Sequence, residues 1–266
     1  MWCAHRACIL AESDVNDQAS GLRRLFGARL SQVVAFAAGE ANAGRTPLVV
    51  RTARTLAEAG EAVILVDENA GPKSALSRLG AQTDADLWDV LDGRTTLAQR
   101  LQPLASNLWG VAAAGVAARV HRDHPATRER LGQVLGPLRA VADFVLVDSH
   151  LRAQAGLSML SSTADNVVLV VTAESASITE AYALIKRLAQ ERERRDFRLV
   201  ITRPSSEAVA RTVFDNLART AKTHLGVTID LLATVIEPNV DDIAEALLCR
   251  LPLPPQAPQQ VPLATL

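Results

Sequence analysis

The stretch Val33-Val34-Ala35-Phe36-Ala37-Ala38, running straight into Gly39-Glu40-Ala41-Asn42-Ala43-Gly44-Arg45-Thr46, decides how this chain is read. An apolar run ends in a loop of small residues, and a helical pattern over residues 48–59 follows, closed by Gly60. The segment therefore reads as buried strand, tight loop and helix. Small residues let successive backbone N–H groups turn inward at a helix N-terminus, which is the geometry that holds a phosphate. The spacing G-x-x-x-x-G-K-[ST] is met by Gly39, Gly44 and Thr46, with Arg45 where the motif has Lys. Arg45 keeps the positive charge but replaces a compact ammonium by a planar fork. An ordinary strand-to-helix turn stands at this point as the alternative.

Working outward, residues 62–66 form the next apolar run and deliver Asp67 to its carboxyl end, followed by the turn-like Glu68-Asn69-Ala70-Gly71-Pro72. A strand–helix–strand unit is complete by residue 67. Residues 75–101 carry short helical patterns, with Leu76, Leu79, Leu87, Trp88 and Leu91 as core candidates, and residues 109–114 are a further strand candidate. Residues 127–142 read as a helix with an interruption at Gly136-Pro137. Phe144-Val145-Leu146-Val147 is a strong buried strand ending in Asp148. An apolar strand closed by one carboxylate has the form of a Walker B element, whose Asp works with the loop Thr around Mg²⁺. A structural Asp capping the next turn is the other reading.

Strand candidates 167–171, 199–201 and 229–233 alternate with helices 178–192 and 207–225. Such alternation predicts an α/β fold with a mostly parallel central sheet covered by helices on both faces, its ligand site at the carboxyl ends of the strands. The 266 residues suit one large domain over 31–250, with an N-terminal segment 1–30 before it and a Pro/Gln-rich tail 251–266 after it. In the N-terminal segment, residues 14–26 form a short amphipathic helix: Ala19, Leu22, Leu25 and Phe26 share a face. Packing on its own domain and docking into a partner groove are both open to such a helix.

A formal net charge of −1 argues against nonspecific binding to nucleic acid or acidic lipid. The odd cysteine count, Cys3, Cys8 and Cys249, without companions at zinc spacing, points to reduced thiols and a cytoplasmic protein. No apolar run approaches the ~20 residues that span a bilayer, and residues 1–10 do not read as a signal peptide. His150 lacks a Ser or Cys nucleophile arranged as a triad with it.

With these stretches in view, the chain resembles the FlhG group (also called YlxH or FleN) of MinD/ParA-like ATPases, regulators of flagellar number and placement. Asp17-Gln18-Ala19-Ser20-Gly21-Leu22-Arg23-Arg24-Leu25 is similar to the group's DQAxxLR activation helix. Ser177-Ile178-Thr179-Glu180-Ala181-Tyr182-Ala183-Leu184-Ile185-Lys186 is similar to its S-I-T-D-A-Y-A-L-I-K segment. The resemblance covers residues 14–250. It implies a cytoplasmic P-loop switch that binds ATP or ADP with Mg²⁺ through residues 39–46, with Thr46 and Asp148 at the metal and Asp67 and residue 69 at the reacting water. It also implies a partnership with the flagellar GTPase FlhF through Asp17, Gln18, Ala19, Leu22 and Arg23, and a nucleotide-dependent homodimer.

The departures from the group's pattern fall on the chemistry. Its K-G-G-x-G-K-T becomes Gly39 preceded by Ala38 and followed by Glu40-Ala41-Asn42-Ala43-Gly44-Arg45-Thr46: Glu40 replaces the signature Lys and Arg45 the P-loop Lys. A carboxylate at position 40 would repel phosphates. Asn69 replaces the second Asp of D-x-D, and an amide is no proton acceptor. The switch glycine after Asp148 is replaced by Arg152. The Pro-rich tail, without Lys or Arg, lacks the basic amphipathic helix by which MinD-like proteins hold a membrane. The expectation is a regulator with weak nucleotide binding and slow or absent hydrolysis. Its rivals are an active ATPase with a nucleotide-gated dimer and, more remotely, a P-loop biosynthetic enzyme.

Overall fold

The structure is a computed structural model, and it describes residues 30–40, 43–81, 86–119, 125–151, 156–191, 193–236, 241–249 and 251. The helix expected over residues 14–26, the loop positions Ala41 and Asn42, Arg152 and the tail from 252 lie outside the described residues.

The strands are β1 (Gln32–Ala37), β2 (Val63–Asp67), β3 (Gln102–Ala105), β4 (Leu108–Ala112), β5 (Phe144–Asp148), β6 (Asn166–Thr172), β7 (Asp196–Thr202) and β8 (Thr228–Val235). They form one sheet in the order β3-β4-β2-β5-β1-β6-β7-β8. Only β3 runs antiparallel, as a hairpin with β4; the other pairings are parallel. The chain leaves β1 toward β2 on one side and returns through β5 to β6 on the other. The loops after β1, β2 and β5 therefore open at one switch point, where sheets of this kind receive ligands.

The helices are α1 (Arg45–Glu58), α2 (Ala75–Arg78), α3 (Leu87–Leu91), α4 (Leu97–Arg100), α5 (Ala114–Arg119), α6 (Pro125–Val141), α7 (Met159–Ser162), α8 (Ser175–Glu191), α9 (Glu207–Leu225) and α10 (Asp241–Leu248). Side chains of a strand alternate between faces, and β1 shows what this does to the core. Val33, Ala35 and Ala37 join the apolar layer under α6, α7, α8 and α9. Val34, Phe36 and Ala38 join the opposite layer under α1 and α10. Every residue of β1, β2, β5 and β6 is buried, which is why these strands read as continuous apolar runs. The three-layer α/β expectation is met.

Two local readings change. The interruption expected at Gly136-Pro137 is absent, and α6 runs through Pro137. Pro137 and Gln133, whose carbonyl loses its helical donor, both lie on the exposed face, so the freed oxygen faces solvent, while Leu131, Val134 and Leu138 hold the buried face. Strand β3 has no counterpart among the sequence expectations: its half-exposed residues and Pro103 suit an edge strand and carry no apolar run. Among the described residues no helix is long and apolar enough to cross a membrane.

Candidate nucleotide-binding loop

Strand β1 ends beneath the loop, and Gly39 passes so close to α8 that a Cβ there would lie 2.6 Å from the Cβ and 2.8 Å from the carbonyl carbon of Glu180. Gly39 is thus required by a backbone approach, and that approach ties the loop to the helix carrying the S-I-T-E-A-Y segment. Gly44 adopts a left-handed conformation, φ 79°, as the N-cap of α1. No side chain caps this helix and its first turn holds no acidic residue, leaving the N-terminus open to an anion. Pro47 sits in that first turn and brings no N–H, so the cradle has one donor fewer than usual. From beneath, Thr202 Oγ1 donates to the Ala43 carbonyl at 3.0 Å.

Behind the loop, the carboxyl ends of β2 and β5 bring Asp67 and Asp148 into register, both fully buried. Arg45, at the P-loop Lys position, folds onto them. Its Nε donates to Asp148 Oδ1 at 2.5 Å, and its Nη2 donates to Asn69 Oδ1 at 3.1 Å and reaches Thr46 Oγ1 at 3.4 Å. Thr46 Oγ1 donates to Asp148 Oδ2 at 2.8 Å. Asn69 Nδ2 donates to the same Oδ2 at 3.0 Å and to the Asp148 carbonyl at 2.9 Å. Asp67 accepts from the backbone N–H of Asn69 at 2.9 Å and of Leu76 at 2.9 Å. Burial raises the Asp148 carboxyl above its ordinary value, against the lowering pull of Arg45; the Asp67 charge adds to the rise.

The structure gathers Arg45, Thr46, Asp67, Asn69 and Asp148 into one hydrogen-bonded network. Glu40 stands apart from it. Its Oε2 is buried and finds no hydrogen-bond partner among the described residues. An orphaned carboxylate oxygen in the loop opposes a phosphate.

Sequence reasoning misses Glu68, because a carboxylate after a strand looks like loop surface. It is buried, accepts from Ser158 Oγ and, at 2.9 Å, from the His150 N–H, and joins the loop after β2 to the segment after β5. Burial pushes its carboxyl up to about 7, the hydrogen bonds only partly offsetting that rise. Position 68 between Asp67 and Asn69 is the one available signal. Pro47, next to Thr46, is directly readable in the sequence.

Thr46 and Asp148 are the groups that would hold Mg²⁺, and the fit is poor. Both Asp148 carboxylate oxygens already accept protein donors, and the Arg45 guanidinium stands against the oxygens a divalent ion would use. Two like charges in one small site repel strongly.

A parallel sheet in this order, with a Gly44-capped helix facing a buried strand-end aspartate, defines a P-loop ATPase fold of the MinD/ParA-like type. The chain is 31% identical over 207 residues to the antiactivator FleN of Pseudomonas aeruginosa, covering 77% of this chain and 73% of that one. It belongs to the FleN family within the MinD/ParA-like ATPases. It is also 27% identical over 193 residues to a septum site-determining protein MinD of Emiliania huxleyi, covering 68% of this chain and 66% of that one. No protein-family model matches. Among solved structures, a plasmid partition protein of Borrelia burgdorferi bound to AMPPNP superposes with a TM-score of 0.61 at 18% identity, over 84% of this chain and 100% of that chain. MinD of Pyrococcus horikoshii complexed with Mg-ADP gives 0.57 at 18% identity, over 82% and 86%. These two likenesses concern the fold.

Proposed function

We propose that this chain is a MinD-like regulator of flagellar number and placement that binds adenine nucleotide, ATP or ADP, weakly and hydrolyses it slowly or not at all. The observation that carries the reading is the contact of Arg45 with Asp148 at 2.5 Å. A P-loop cation with one edge tied to the strand-end carboxylate has part of its charge already neutralised and cannot follow the transferring phosphoryl group, and phosphoryl transfer depends on positioned charge. Asn69 engages Asp67 and Asp148 as a donor, so it has no base to offer a water. Residues 39–46 form the phosphate-facing loop and the open N-terminus of α1 supplies backbone donors.

The output runs through the N-terminal segment 1–30, where Asp17, Gln18, Ala19, Leu22 and Arg23 contact an FlhF-type GTPase in the cytoplasm. The test is a peptide of residues 17–25 added to that GTPase. Binding and a rise in GTP turnover are expected, and loss of both on replacing Leu22 by Asp; a peptide with no effect removes the partnership. In parallel, a fluorescent ATP analogue titrated against the full chain is expected to bind in the ~0.1–1 mM range, and complete absence of binding removes the nucleotide.

A further inference from the structure

The Arg45 fork meets three oxygens at once: Asp148 Oδ1 at 2.5 Å, Asn69 Oδ1 at 3.1 Å and Thr46 Oγ1 at 3.4 Å. These come from the ends of β5 and β2 and from the first turn of α1, and they converge on one point. A single cation surrounded by hard oxygens from separate elements is the arrangement by which a divalent ion organises a phosphate site. Here a covalently attached cation fills that role. Both Asp148 oxygens are engaged, Oδ1 by Arg45 Nε and Oδ2 by Thr46 Oγ1 and Asn69 Nδ2 together.

Among the described residues Nη1 of Arg45 has no partner, while Nε and Nη2 are both committed, and the side chain is 14% exposed. One edge of the guanidinium is anchored in the protein and the other is left to donate to an anion beside the N-terminus of α1, a geometry an ammonium cannot reproduce.

We propose that Arg45 is a built-in counter-cation that takes the place of the divalent ion, so that this site binds nucleoside di- and triphosphates in their metal-free form. The inference rests on the nucleotide reading above and specifies how that site is controlled: occupancy follows nucleotide concentration and does not follow Mg²⁺.

The experiment is equilibrium titration of the full chain with a fluorescent ATP analogue, once in Mg²⁺ and once in EDTA, for the wild-type protein and for Arg45→Lys and Thr46→Ala. Wild-type affinities in the two media are expected to agree within about three-fold. Arg45→Lys releases the oxygens that a compact ammonium cannot span, and its affinity is expected to become about ten-fold tighter in Mg²⁺ than in EDTA. Thr46→Ala, in which a metal ligand would be lost, is expected to leave the wild-type ratio unchanged. Wild-type binding that tightens about ten-fold or more with Mg²⁺ overturns the inference and leaves the nucleotide reading standing. Binding that is absent in both media overturns both. Circular dichroism of each variant separates a lost fold from a lost site.

Discussion

Asn69 Nδ2 lies 3.0 Å from Asp148 Oδ2 and 3.2 Å from Asp67 Oδ1, so one amide donates to the carboxylates of two neighbouring strands. At this position the family pattern has an aspartate, yet here the side chain acts as glue between two buried acids.

That arrangement makes the obvious reversion harmful. Asn69→Asp turns two donations into repulsions beside carboxylates that are already fully buried. A loss of about 2–4 kcal/mol at neutral pH is expected, measured by urea unfolding, with much of it recovered at pH 5 as the added acid protonates. No gain in ATP turnover accompanies it, because Arg45 still covers Asp148.

Removing the cation has a related effect. Arg45→Ala leaves the Asp148 carboxylate buried and without its ion-pair partner, at a cost of about 3 kcal/mol. Burial already raises the Asp148 carboxyl and Arg45 pulls it down, so the variant's carboxyl rises further. An acid raised in the folded state contributes stability that is complete at low pH and is lost as pH climbs. The deficit of Arg45→Ala should therefore widen as pH rises in thermal melts.

Glu68 gives the clearest pH signature. Its carboxyl stands at about 7 in the fold against an ordinary 4.5. The fold therefore keeps its full advantage below about pH 4.5 and loses it as pH rises through 7, by about 3 kcal/mol in all. Melting temperature should fall from pH 5.5 to pH 8 in the wild-type protein. In Glu68→Gln, which keeps an acceptor for the His150 N–H, most of that fall should vanish. A parallel decline in both proteins would place the titrating group elsewhere.

Gly39 tests the link between the loop and α8. A methyl group there would sit 2.8 Å from the Glu180 carbonyl carbon, and backbone cannot rotate away as a side chain can. Gly39→Ala is expected to cost about 1–3 kcal/mol and to move α8. Gly44→Ala meets open space and strains only φ, so about 1 kcal/mol is expected. Urea midpoints of the two variants compare a packing effect with a backbone one.

Much of the fold is written in local pattern. Buried strands such as Val63–Asp67 and Phe144–Asp148 show as unbroken apolar runs ending in an acid, and α9 is bounded by its Ser206 cap and Gly226. Strand β3 escapes because an edge strand with Pro103 has no such run. Helix α6 continues past Pro137 because the tertiary burial of Leu131, Val134 and Leu138 fixes its inner face, which local pattern does not show. The site residues are legible as a motif at the right spacing. What the motif does not carry is where the Arg45 fork points, since that depends on side-chain geometry across three elements, or that Glu68 is drawn inward by Ser158 and His150 from segments far along the chain.

The measurement that bears most directly on the account is steady-state phosphate release from ATP by the purified chain beside its Arg45→Ala variant, with and without the FlhF-type GTPase. The two proteins are predicted to give the same rate, at or only slightly above the buffer blank, in every condition. Turnover by the wild-type protein that disappears in Arg45→Ala would contradict the account and establish a working ATPase.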